Sequence, residues 1–174
     1  KGVVSRGSLT RNFLTADTPA LTYAEGIEPE RYSGFNLLLA DSESLVYCSN
    51  RDGRPRTLQP GIYGLSNHLL DSPWPKLLAA RQAFAEALPS LPDETAFFDM
   101  LADQCIVPDA NLPRTGVSIE WERLLSAVFV KSESYGTRAS KVVWQRSDGC
   151  VTIHERSFGP FGQALQSSEI STSV

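Results

Sequence analysis

The sequence predicts an α+β fold with largely antiparallel sheets. Short apolar runs of strand length are joined by tight turn signals. These runs fall into an early and a late group, with two helical patterns between them. Strand–helix–strand alternation of the parallel kind does not recur.

Taken in order, residues 8–15 place Leu9, Phe13 and Leu14 at helical spacing behind Ser8, a suitable N-cap. Asp17-Thr18-Pro19 opens a second short helix through Tyr23 and Ala24, stopped by Gly26. Ser33-Gly34 precedes a strand over 35–40, apolar except for Asn36; a turn over 41–44 returns it as a second strand over 45–49. Asn50-Arg51-Asp52-Gly53 reads as a hairpin tip, because Asp-Gly favours tight turns. A further strand lies near Thr57-Leu58, and Pro60-Gly61 turns into one over 62–66.

The helix over 73–88 has the clearest pattern. Ser72 can cap it and Pro73 suits its first position, while Trp74, Leu77, Leu78, Phe84 and Leu88 share a face. A second helix over 93–105 presents Phe97, Phe98, Leu101 and Cys105, making an antiparallel helical hairpin with the first. Residues 107–116 form a loop, and a short helix over 119–125 follows. Three strands close the pattern, over 127–131, 138–145 and 150–157, with Ser147-Asp148-Gly149 turning between the last two. Residues 1–158 thus read as a single domain and 159–174 as a flexible tail.

At 174 residues, with 41% hydrophobic and 21% charged side chains, the chain can bury one ordinary core. Its net charge is −4 and its Lys and Arg are scattered, which argues against a nucleic-acid partner. Apolar runs fall well short of the roughly 18 residues of a membrane helix. The three cysteines, Cys48, Cys105 and Cys150, are an odd number without a close pair. Each reads as a small buried hydrophobe rather than part of a disulfide framework or metal site. Residues 1–7 resemble neither a signal nor a transit peptide, and cytoplasmic placement is the expectation. A start at Lys1 reads like the middle of a protein, so a fragment is expected.

Chemistry can be sought at a few positions. Asn67 follows an apolar run and precedes a helix; its amide N–H could stabilise a developing oxyanion, or its side chain could bond its own backbone in a turn. Arg138 could orient a carboxylate or be an ordinary surface arginine. His154 alternates with Thr152 and Arg156 opposite Val151 and Ile153, which places it on a polar, solvent-facing side. His68 neighbours Asn67, but nothing in the pattern supplies it with an acid or nucleophile. Haem ligation by either histidine is allowed by its chemistry and unsupported by spacing. The sequence carries no phosphate loop, nucleophile elbow or metal signature.

Five blocks, Ser33-Gly34-Phe35-Asn36-Leu37-Leu38, Gly61-Ile62-Tyr63-Gly64-Leu65-Ser66-Asn67, Ser72-Pro73-Trp74-Pro75-Lys76-Leu77, Tyr135-Gly136-Thr137-Arg138 and His154-Glu155-Arg156-Ser157-Phe158, together resemble the NRDE family, that of transport and Golgi organisation protein 2. The resemblance implies an N-terminal-nucleophile-hydrolase-like αββα sandwich of two antiparallel sheets between helical layers. It implies a cysteine after the initiator methionine as nucleophile, its α-amine as base, and a nearby Asn-Arg-Asp-Glu motif. This chain carries neither, and matches the C-terminal two-thirds of the pattern.

By the same resemblance Asn67 is an oxyanion donor and Arg138 a pocket charge, with Ser66, His68 and Tyr135 as ligand-binding neighbours. The substrate class implied is an amide, ester or thioester. The alternative is a carrier of haem or lipid without turnover. No resident cofactor or metal is expected. Sheet edges left open by missing strands favour pairing with another copy.

Overall fold

Strand β1 (Asn36–Ala40) alternates buried Leu37 and Leu39 with exposed Leu38 and Ala40, so one face demands a cover. In the computed structural model, which describes residues 2–172, that cover comes from helices α1 (Gly7–Leu14) and α2 (Ala20–Glu25). Their Leu9, Ala20 and Ala24 form one core with Phe35, Leu37 and Leu39 and with Val46 and Cys48 of β2 (Leu45–Ser49). The chain divides into two compact units, Lys1–Ser72 and Pro73–Val174. The sequence shows no linker at that point; the division falls where Pro73 and Pro75 remove two backbone donors.

In the first unit β1, β2 and β3 (Arg56–Thr57) form an antiparallel sheet in that order, with Leu37 opposite Cys48 and Leu39 opposite Val46. Asp41 fixes the β1–β2 turn by accepting from Glu43 N and Ser44 N through Oδ1, and binds Ala20 N at the start of α2 at 2.8 Å. These backbone donors, Ala20 first among them, hold its carboxyl below the usual range. The stretch over 62–66 is not a strand. Its groups are satisfied locally instead: Gly64 N donates to Asp71 Oδ1 at 2.8 Å and Asp71 N returns to the Gly64 carbonyl at 2.7 Å. Residues 61–72 therefore form a closed loop rather than a ladder partner.

The second unit holds α3 (Pro75–Ala87), α4 (Thr95–Leu101), α5 (Ile119–Leu125) and a sheet ordered β4 (Ala139–Gln145), β5 (Val151–Phe158), β6 (Ala164–Thr172), all antiparallel. Pro75, not Pro73, sits in the first turn of α3, and Trp74 takes the cap position. Ser72 is engaged by Leu69 O and His68 instead. Leu78, expected on the buried face, is half exposed, while Ala87 is buried. Phe97 sits between Phe84 and Trp144, with ring centroids 5.2 Å apart on each side.

Three further expectations change. Residues 127–131 form turns rather than a strand. Helix α4 ends at Leu101, so Cys105 lies beyond it and is exposed; Cys48 is buried and Cys150 half-buried, all three as free thiols. The tail expected to be flexible over 159–174 instead carries β6, laddered from Thr172 opposite Val151 to Ala164 opposite Phe158. Every β6 side chain is exposed, so the strand is defined chiefly by backbone pairing with β5 and no burial pattern marked it. Residues 1 and 173–174, the outer ends of the expected domain and tail, lie outside the described residues.

The α+β class holds: helices accompany two three-stranded antiparallel sheets. Among the described residues no helix is long and apolar enough to cross a membrane. Truncating the aromatic centre of the second unit, Phe97→Ala, is expected to cost about 3–5 kcal/mol by urea unfolding followed through Trp144 fluorescence. Leu165→Ala, at an exposed β6 position, should stay within about 0.5 kcal/mol of the parent.

Candidate functional site

A cleft of about 740 Å³ opens in the first unit. Its polar lining is Arg6, Thr10, Asn36, Arg51, Ser66 and Asn67; its apolar wall includes Leu9, Phe35, Leu37 and Leu65. The side chain of Asn36 sets this geometry. It points to the sheet face opposite the core, where its Oδ1 accepts from the buried hydroxyl of Tyr47 at 2.9 Å. Its Nδ2 donates to the carbonyls of His68 at 2.7 Å and Ser66 at 3.5 Å. The Tyr47 oxygen also accepts from Leu70 N at 3.3 Å. One asparagine and one tyrosine thus clasp the 61–72 loop to the sheet, and the loop carries Ser66 and Asn67 to the cleft.

Asn67 is exposed there, and among the described residues no hydrogen bond engages its side chain. Ser66 Oγ is buried without a partner among the described residues. A buried hydroxyl with unused capacity is costly unless something binds it. His68 is exposed, with Nδ1 2.7 Å from Ser72 Oγ. Because the Ser72 hydroxyl donates to Leu69 O at 2.7 Å, the imidazole supplies the proton between them.

Arg138 and Tyr135 belong to the second unit. The Tyr-Gly-Thr-Arg block builds a turn: Thr137 N donates to Val130 O at 2.8 Å, and a Cβ on Gly136 would stand 2.8 Å from that same oxygen. Tyr135 packs edge-on against Trp121, and the Arg138 side chain is exposed.

Sequence reasoning missed Arg6, Asn36 and Arg51. Asn36 left a signal, a lone amide in an otherwise apolar strand. Arg51 lies in the hairpin connection that Asn50–Gly53 was read as, and its role comes from what that turn overhangs. Asn50 Oδ1 accepts from Phe35 N at 2.9 Å, and the Ser49 hydroxyl donates to Phe35 O at 2.8 Å while accepting from Arg51 N at 3.1 Å. These bonds fix the start of the turn against the segment entering β1.

A second cavity, of about 380 Å³, lies in the second unit beside Glu94, His154, Arg156 and Glu169. His154 is not on a solvent face. The side bearing Val142, Trp144, His154 and Arg156 is the one α4 covers, and Val143 and Ile170 on the opposite side stay exposed. Polarity is matched there: Glu94 accepts from both Trp144 Nε1 and His154 Nδ1, and the guanidinium of the exposed Arg156 lies 3.8 Å from the Phe98 ring centre. His154 Nε2 stands 3.3 Å from Glu169 Oε1. The bond to Glu94, aided by Glu169 and opposed by burial, raises the His154 pKa above its ordinary value. In the described residues no cluster of three or more His, Cys, Asp or Glu is placed to hold a metal ion.

A sequence profile of the Transport and Golgi organisation 2 family matches residues 1–160. The chain belongs to that family. It is similar to the transport and Golgi organization protein 2 homolog of Bos taurus, at 39% identity over 171 residues, covering 87% of this chain and 61% of the relative. The human homolog is 36% identical over 169 residues and the mouse homolog 34% over 173, with the same coverages. This family member therefore spans 61% of the length of the curated relatives it matches.

Because His154 binds its proton more tightly folded than unfolded, its contribution to stability is complete below about pH 6.5 and is lost as pH rises through the raised folded value. Urea midpoints should fall across that interval, and His154→Gln should abolish the slope. A folded His154 NMR titration midpoint at or below 6.5 would contradict this.

Proposed function

We propose that the first-unit cleft receives the acyl group of a small molecule and that the Asn67 amide donates to its carbonyl oxygen. The observation that supports this most is an exposed carboxamide and a buried hydroxyl in one cleft, both without a side-chain partner among the described residues. In the reading implied by the family, a full-length form bearing an N-terminal cysteine is an N-terminal-nucleophile amidohydrolase or acyltransferase. The cysteine thiol gives its proton to the cysteine's own α-amine and its sulfur adds to the carbonyl carbon. Negative charge moves onto the carbonyl oxygen, which Asn67 N–H stabilises. The C–N, C–O or C–S bond then breaks, the leaving group takes the proton, and water hydrolyses the acyl-thioester. Arg138 as a pocket charge, and His68 and Tyr135 as ligand contacts, rest on the family plan alone.

The lining residues favour keeping a second reading, carriage without turnover. They include two hydroxyls, Thr10 and Ser66, but no cysteine, imidazole or carboxylate. Haem is the weaker cargo, because neither histidine lines the first-unit cleft and His154 lies between two carboxylates. The proposal keeps cytoplasmic placement, a small-molecule ligand and self-association through open sheet edges as its working terms.

Acylation of the longer protein's N-terminal cysteine by a thioester probe, followed by mass spectrometry, separates the readings. Asn67→Ala should slow acylation on the order of 100-fold. An unchanged rate removes Asn67 from the oxyanion role, and saturable binding without acylation selects the carrier.

A further inference from the structure

We propose that Arg6 and Arg51 form a subsite for the carboxylate or phosphate of the cleft's ligand, an inference that rests on reading the cleft as the ligand site. Both guanidinium groups converge on Gly34. Arg6 Nη1 donates to the Gly34 carbonyl at 2.9 Å. Arg51 lies over its α-carbon, so closely that a Cβ there would stand 2.4 Å from Nε and 2.6 Å from Nη2. A side chain at position 34 would displace the guanidinium, the flexible end of Arg51, from this seat.

Two like charges brought to one residue repel, and although water screens these exposed groups, an anion between them lowers that repulsion. No carboxylate lines the cleft, and among the described residues neither arginine takes part in an ion pair. Asp52, next to Arg51 in sequence, is committed elsewhere, to Gly53 N and to Arg56 at 3.0 Å, and Asp71 on the 61–72 loop accepts from Gly64 N. In a chain of net charge −4 this leaves a local cationic cleft.

Each guanidinium carries five donors in a planar fork suited to paired oxyanion contacts. Arg6 spends one of its donors on Gly34 O. Arg51 is held at its backbone by Ser49 Oγ at 3.1 Å, which lowers the cost of ordering it on binding. The wall of Leu9, Leu37 and Leu65 beside these cations calls for a ligand with an apolar portion attached to its anionic group.

The test is a titration of the 174-residue chain by ¹H–¹⁵N NMR, reading the Gly34 amide and the Arg51 side-chain Nε–H. The probes are octanoate, octyl phosphate, inorganic phosphate and 1-octanol. Saturable shifts with at least one of the two amphiphilic anions, and none with octanol at the same concentrations, are expected. The preferred head group is read from octanoate against octyl phosphate, and free phosphate should bind more weakly than its octyl ester. Arg6→Gln and Arg51→Gln should each weaken the preferred anion about tenfold or more. If either glutamine variant does not fold, Arg51→Lys and Gly34→Ala replace it, both with weakened binding. Octanol binding as tightly as octanoate would overturn the anion subsite while leaving the cleft as a ligand site. Unchanged anion affinity in the arginine variants would do the same. Silence with all four probes would overturn both readings.

Discussion

The hydrogen bond from Tyr47 to Asn36 is the constraint on which the first unit's site depends. Tyr47 is 1% exposed and among the largest fully buried side chains of the chain. Its hydroxyl cannot be left unpaired at that depth without a cost of about 1–3 kcal/mol. Pairing it with Asn36 orients the asparagine amide, and that amide then takes two carbonyls of the 61–72 loop. Polar satisfaction in the sheet thereby becomes the placement of Ser66 and Asn67. A strand over 62–66 would have buried those groups in a ladder. The loop instead closes on itself through Gly64 and Asp71 and leaves an amide and a hydroxyl uncommitted.

The second unit solves a comparable problem with charge. Its sheet turns the half-buried His154 toward the helices, against the usual sorting of polar residues outward, with the exposed Arg156 beside it. Glu94 takes the imidazole and the Trp144 indole, and the Phe98 ring takes the guanidinium. Packing of Phe97 between Phe84 and Trp144 outweighs the exposure of Val143 and Ile170 on the other side.

Local chemistry was legible wherever it was self-contained. Strand 45–49 and helix 119–125 fall where apolar spacing and turn residues place them, and Gly149 turns between β4 and β5 with a positive φ of 83°. What spacing could not convey was competition. The 62–66 run has strand composition, but Asp71 reaches its backbone first. The β6 tail lacks any burial pattern, yet β5 offers it a full ladder. His154 alternates as a solvent-facing residue should, until Glu94 arrives from sixty positions away. In the site, Asn67 and Ser66 were visible as polar residues ending an apolar run. Arg6 and Arg51 were not, because each acquires meaning only from Gly34, which lies far from both in sequence.

The central claim, that the Tyr47–Asn36 pair holds the loop bearing Asn67, is tested most directly by residue-resolved amide hydrogen exchange of Tyr47→Phe. This substitution removes one oxygen and keeps the buried ring. The account predicts that Leu70 N–H, which donates to that oxygen, exchanges roughly tenfold faster or more, with Leu39 and Val46 unchanged. Leu70 protection equal to the parent's, or an equal rise at Leu39 and Val46, would contradict it.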